Sequence, residues 1–224
     1  ADRIFSVFTR DFGRVEVLGK AIRKIASKLK HGMEIFYLSE IEFIQSEHRK
    51  TLKDAVLVEK FKNIEEDPEK LKAAHKIASI FDIMVKGQEK DERILNLVID
   101  VFQKINNYSP AGHDYSLICH YFTWNFISLL GYGPELYQCS VCQIKLNPGN
   151  LYFSYKEGGI TCKSCYIPES GASRVSPDVI KIIRLILKKE WDTLKKLKTG
   201  VDDKKSLEEI SKNYHLYLSG QDTN

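Results

Sequence analysis

No stretch of this 224-residue chain approaches 18 consecutive apolar residues, which argues against a membrane-spanning helix. The motifs of the common enzyme classes are missing as well. There is no G-x-x-x-x-G-K phosphate loop, no G-x-G-x-x-G, no G-x-S-x-G and no H-E-x-x-H, and the six histidines (His31, His48, His75, His113, His120 and His215) are scattered. The acidic residues offer no clear acid–base pair, so binding is a stronger class than catalysis. The first residues carry no apolar run of the secretory type and all cysteines but one are confined to 27 residues, so a secreted, disulfide-bonded protein is not expected. The formal net charge of +4 is too small to establish a nucleic-acid partner, so the distribution of charge carries more than its sum.

Cysteine is scarce, yet four of the five cysteines fall between positions 139 and 165. They form two C-x2-C knuckles, Cys139/Cys142 and Cys162/Cys165, with 19 residues between them. Each knuckle offers two thiolates on one tight turn, and two such turns close a tetrahedron around Zn2+. Two disulfides and a former zinc loop that no longer holds metal are the alternatives. No His, Asp or Glu stands in ligand register, and four thiolates fill the shell, so the metal would shape the loop and do no chemistry. The intervening Leu151–Tyr155, Gly158-Gly159 and Ile160-Thr161 read as a hairpin that brings the second knuckle beside the first.

Residues 1 to about 64 have strand character. Five short strands are expected, at 3–9, 14–19, 34–38, 40–44 and 53–58, with a turn at Asp11-Phe12-Gly13; they suit a small barrel without parallel crossovers. The chain opens almost directly in a strand, which suggests that one more strand precedes it. After the second strand the run K-A-I-R-K-I-A-S-K-L-K carries Lys20, Arg23, Lys24, Lys28 and Lys30 with no acidic residue. Such a run tracks phosphates well, and Arg10 and Arg14 on the adjoining strands would assist it. A solvated surface segment is the competing reading. Ile22, Ile25 and Leu29 tie one side of the run to the core.

From Asp67 the apolar period becomes helical. Asp67-Pro68 and Ser176-Pro177 pair an N-cap with a proline at the first helical position. Leu71, Ala74, Ala78, Phe81 and Val85 share a face of the first helix. A second helix at 91–105 buries Ile94, Leu95, Val98, Val101, Phe102 and Ile105, and a third at 114–130 is apolar enough to be the centre of a bundle. Cys119 within it reads as a small buried hydrophobe. A fourth helix is expected from 177 to about 197. One side of it is basic, with Lys181, Arg184, Lys188, Lys189, Lys195, Lys196 and Lys198 against Glu190 and Asp192, and a last helix covers 204–218. The expected fold class is α+β: a small N-terminal barrel at 1–64 and a helical domain at 67–224, with the cysteine loop at 139–165 inserted in it.

Four stretches in series carry a resemblance: D-R-I-F-S-V-F-T-R-D-F-G-R-V (2–15), K-A-I-R-K-I-A-S-K-L (20–29), Y-F-T-W-N-F-I-S-L-L-G-Y-G-P-E-L (121–136) leading straight into C-S-V-C, and G-G-I-T-C-K-S-C (158–165). Together they resemble the bacterial recombination mediator RecO family. The resemblance implies an N-terminal OB-fold, a helical body with a zinc-finger-like insertion, and a non-enzymatic, nucleoid-associated cytoplasmic role in recombinational DNA repair. It further implies binding and annealing of single- and double-stranded DNA, and contacts with RecR and with the acidic C-terminal tail of single-stranded DNA-binding protein. A protein–protein adaptor with a structural zinc loop is the alternative function. The family's basic segment falls on Lys20, Arg23, Lys24 and Lys28, and its metal ligands fall on Cys139, Cys142, Cys162 and Cys165. An acidic tail ending in apolar residues needs an apolar pocket rimmed by cations, for which Phe122, Trp124 and Phe126 with Lys181, Arg184 and Lys188 are the candidates. Two departures stand out. Ala21 occupies a position where the family usually has Gly, and His120 stands where some members carry Arg.

Overall fold

The computed structural model describes residues 2–22, 28–47, 49–87, 90–168 and 171–221. The chain forms two compact units, 1–115 and 116–224, so the packing groups the first three helices with the sheet.

The first unit begins with the hairpin of β1 (Arg3–Thr9) and β2 (Gly13–Gly19), paired from Arg3 with Gly19 to Thr9 with Gly13. Gly13 takes φ +62°, the left-handed conformation that closes a three-residue hairpin loop, and the Thr9 hydroxyl accepts from the Phe12 N–H. A 3-10 helix (Lys28–Gly32) precedes β3 (Tyr37–Gln45) and β4 (Lys50–Lys60), and the sheet order is β1-β2-β4-β3. Four strands replace the expected five, because 34–38 and 40–44 are not separate strands. The chain runs through as β3, with its register to β4 slipping at Leu38/Ser39 and Glu42/Phe43; these irregularities blur the alternation of side chains along the sequence. β2 and β4 pair in parallel at Val17/Lys50 and Leu18/Thr51, contrary to the expected absence of a crossover, because the 3-10 segment and β3 together supply the connection.

The inward residues Val15, Val17, Ile22, Met33, Leu52 and Ala55 form the core of this sheet, with Leu29 packed against it. Gly32 lies so close to β4 that a Cβ there would sit 2.4 Å from the Ala55 carbonyl oxygen.

α1 (Lys62–Glu66), α2 (Pro68–Met84) and α3 (Glu92–Asn107) complete the unit. The Asp67 carboxylate accepts from the Glu69 and Lys70 N–H groups and Asp91 does the same for Arg93, as N-caps should. The buried line of α2 is Lys70, Ala73, Ala74, Ile77 and Ile80; of the expected face Ala74 and Val85 are buried, while Leu71, Ala78 and Phe81 are half-buried beside it. α3 buries Ile94, Leu97, Val101, Phe102 and Ile105, while Leu95 and Val98 are half-buried.

In the second unit α4 (Ser116–Ile127) is enclosed by protein, every side chain from Ile118 to Ile127 being buried. Trp124 Nε1 donates to Ser211 Oγ at 2.9 Å, and Asn125 Nδ2 donates to the Ile186 carbonyl at 3.1 Å, so the polar groups on this buried helix are satisfied. Cys119 is buried among them. A π turn at Ser128–Tyr132 ends the helix, with Gly131 at φ +91°.

β5 (Leu151–Ser154) and β6 (Gly159–Cys162) form the expected hairpin, and β7 (Ser173–Val175) adds a strand that periodicity did not reveal. α5 (Pro177–Leu187), α6 (Trp191–Leu194) and α7 (Val201–Ser219) follow, Ser176 capping α5 through the Val179 N–H. The helix expected to reach Leu197 stops ten residues early, because the chain reverses at Lys189 (φ +58°) and α6 brings Leu194 back to the core.

Ala21, where the resemblance leads one to expect Gly, is held at φ +52°, and its N–H donates to Asp2 Oδ1 at 2.9 Å. An alanine in the left-handed region costs about 1 kcal/mol. Ala21→Gly should therefore stabilise the chain by roughly 0.5 to 1 kcal/mol, seen as a higher urea midpoint at unchanged slope.

Candidate metal centre and nucleic-acid surface

The cysteine loop is set up by Glu135. Its backbone N–H donates to the Gly158 carbonyl (3.0 Å) and its carbonyl accepts from Ile160 N–H (2.9 Å), so the segment lies alongside the β5–β6 turn. Its carboxylate accepts from the Tyr137 N–H at 2.7 Å and the Gln138 N–H at 3.3 Å. The Tyr137 N–H is the main reason that this carboxyl is held below the usual range, and the Gln138 contacts add to it. Gly159 makes this approach possible: a Cβ there would fall 2.5 Å from the Glu135 carbonyl oxygen.

Each knuckle is a tight backbone turn. In the first, Gln143 N–H donates to the Cys139 carbonyl (2.8 Å) and Cys139 N–H to the Ile144 carbonyl (2.9 Å). In the second, the Cys165 and Tyr166 N–H groups both donate to the Cys162 carbonyl, at 3.1 and 3.0 Å. The knuckles are joined by Ser140 N–H to Ile160 O (2.8 Å) and by Cys162 N–H to Cys139 Sγ (3.4 Å).

All four sulfurs lie within 4.8 Å of one another. The separation of Cys142 and Cys162 Sγ is 3.9 Å, close to the edge of roughly 3.8 Å that a tetrahedron with metal–sulfur bonds of about 2.3 Å requires. Burial pushes the Cys139 thiol up, but the N–H groups of Cys142, Cys162 and Val141 outweigh it and hold the group at about 6. Hydrogen bonding with Cys142 and Cys162 pushes Cys165 up to about 12. Four sulfurs this close could hold a metal ion, and a bound cation would favour the thiolate form of each.

The bundle grips the approach to this loop. Tyr214 Oη donates to the Tyr132 carbonyl at 2.9 Å. An Arg184 Nη donates to the Leu136 carbonyl, and the guanidinium lies 4.4 Å from the Tyr137 ring centre. Glu135, Tyr214 and this role of Arg184 were not foreseen in the sequence. The P-E-L before the first knuckle was the available signal for Glu135, whereas nothing local marks the other two.

The proposed tail pocket is corrected accordingly. Phe122, Trp124 and Phe126 are fully buried and offer no surface, because the bundle encloses α4 from every side. Arg184 is engaged with the loop, while Lys181 and Lys188 are exposed.

The candidate DNA residues belong to the first unit. Lys20 is exposed in the turn after β2, and Arg10 is exposed beside Glu92 at 3.4 Å. Arg23 and Lys24 lie outside the described residues. Lys28 and Lys30 belong to the 3-10 helix, and their side chains lie outside the described set. Arg14 is anchored: it donates to the Val85 carbonyl (2.8 Å) and pairs with Asp82 (3.1 Å), completing the C-terminal end of α2. That engagement removes it from the expected cationic set. No helix among the described residues is long and apolar enough to cross a membrane.

Residues 1–61 match the family model described as "Recombination protein O N terminal", and residues 65–223 match "Recombination protein O C terminal". The chain belongs to the RecO family. It is similar to the DNA repair protein RecO of Dehalococcoides mccartyi (strain 195), at 27% identity over 198 residues that cover 88% of this chain and 76% of the relative. With the DNA repair protein RecO of Listeria monocytogenes serotype 4b (strain CLIP80459) it shares 23% identity over 220 residues, 98% of this chain and 84% of the relative. The RecO likeness therefore spans both compact units.

Gly159 and Gly149 provide a paired test of the metal loop. Gly159→Ala should abolish metal retention against a mild chelator, because the added methyl strikes backbone. Gly149→Ala, with nothing within 4 Å of its added carbon, should retain metal like the parent; elemental analysis after dialysis checks both.

Proposed function

We propose that this chain is a non-enzymatic DNA-binding and strand-annealing mediator of recombinational repair, which helps the recombinase load onto single strands coated by single-stranded DNA-binding protein. The observation that carries this reading is membership, over both halves of the chain, of a family whose curated relatives are named as DNA repair proteins. In this reading the four-stranded sheet belongs to an OB-fold, whose surface suits single strands. Lys20, Arg23, Lys24, Lys28 and Lys30, with Arg10, hold phosphates. Annealing needs two strands held with their charge screened and their bases free, which cationic side chains supply without bond cleavage.

The four cysteines bind one structural Zn2+. With four thiolates in the shell no coordination position remains for water, so the metal supplies shape. RecR and the acidic tail of single-stranded DNA-binding protein are the proposed protein partners, Lys181 and Lys188 supplying cations for the tail.

Single-strand binding across a salt series tests the DNA surface. Neutralising Arg23 and Lys24 together should weaken binding across sequences and flatten the log K against log salt slope by about 1.4, two single-strand phosphates' worth. An unchanged slope would move the surface elsewhere. Charge reversal of Lys181 and Lys188 should weaken binding of the isolated tail peptide, measured by fluorescence anisotropy, and leave DNA affinity as it was. Equal loss of both would make α5 part of the DNA surface.

A further inference from the structure

The four cysteines are not equally reachable. Cys139 is buried and its sulfur accepts the Cys162 N–H, Cys162 and Cys165 are half-buried, and Cys142 is exposed. Cys142 and Cys162 stand on opposite knuckles with their sulfurs 3.9 Å apart. Gln143, next to Cys142, is held at φ +60°, a left-handed conformation that a non-glycine side chain resists, so the backbone at the reachable sulfur is strained.

We propose that the loop is a thiol redox switch in which Cys142 and Cys162 are the responding pair and a peroxide is the oxidant. This rests on the reading of the loop as a metal site. The Cys142 thiolate attacks one peroxide oxygen, the O–O bond breaks, and hydroxide leaves as a sulfenic acid forms. The Cys162 thiolate then attacks that sulfur, the S–O bond breaks, and a second hydroxide leaves as the disulfide forms. Two thiolates lose two electrons in all, and one peroxide gains them. Cys139 and Cys165 alone cannot complete a four-coordinate shell, so the metal is released.

The rest of the unit confines the change. Tyr214 holds the Tyr132 carbonyl and Arg184 the Leu136 carbonyl, so the base of the loop stays docked. The moving part is the tip, where the exposed Val141, Ile144 and Ile167 flank the ligands. Drawing two sulfurs from 3.9 Å to a bond of about 2.05 Å pulls the knuckles together and rearranges this apolar display while α4, α5 and α7 remain folded.

The test uses the full chain, with metal content measured first, treated with hydrogen peroxide. Released metal is read with a chromogenic chelator, disulfides by alkylation and peptide mass mapping, and helicity by circular dichroism. The switch requires one Cys142–Cys162 disulfide per metal released, unchanged helicity, and recovery of the metal site with dithiothreitol and zinc. Cys119→Ala, which removes the remaining thiol, should behave as the parent. Metal retained through complete peroxide treatment, a disulfide between other cysteines, or dependence on Cys119 would overturn it. A chain without stoichiometric metal at the outset would instead overturn the metal reading, and the switch with it.

Discussion

The C-terminal unit gathers four cysteine sulfurs within 4.8 Å of one another, a set that four thiolate charges could share only around a cation. Backbone N–H groups favour ionisation at Cys139, while hydrogen bonding with Cys142 and Cys162 pushes the Cys165 thiol up, so the four sulfurs are not electrostatically equivalent. The surrounding contacts serve to bring the sulfurs together. Glu135 lies against the β5–β6 turn, Gly159 permits that approach, and Tyr214 and Arg184 fix the chain where it leaves the bundle.

Features encoded by neighbouring residues were legible in the sequence. Asp67-Pro68 and Ser176-Pro177 start helices because cap and proline act within one turn. The paired C-x2-C knuckles and the Gly158-Gly159 turn announced both the cysteine cluster and its hairpin. Features set by distant partners were not legible. The sequence offers no mark for the register slips in β3, the third strand β7, or the reversal at Lys189 that divides an otherwise continuous helical pattern.

The cations illustrate the same limit. Lys20, Arg14 and Arg184 all read as solvent-facing positive charge, yet of the three only Lys20 is exposed; Arg14 closes a helix end and Arg184 clamps a loop. A side chain with a long apolar stem can reach carbonyls remote in sequence, and charge counting cannot tell which will do so. The aromatics of α4 misled in the opposite sense. Their density identified a central helix, and a helix enclosed on all sides has no ring left over for a ligand.

Arg14 joins the β1–β2 hairpin to helix α2 by a route that neither element contains alone. Its Nε also donates to Ser6 Oγ at 3.2 Å, so one guanidinium spans both strands and the helix end. Opening of the hairpin therefore removes a partner from the Asp82 carboxylate and the Val85 carbonyl at the end of α2. Through this one side chain, segments some 70 residues apart in the chain share polar partners, and amide exchange in the hairpin and in that turn is expected to respond together when Arg14 is removed.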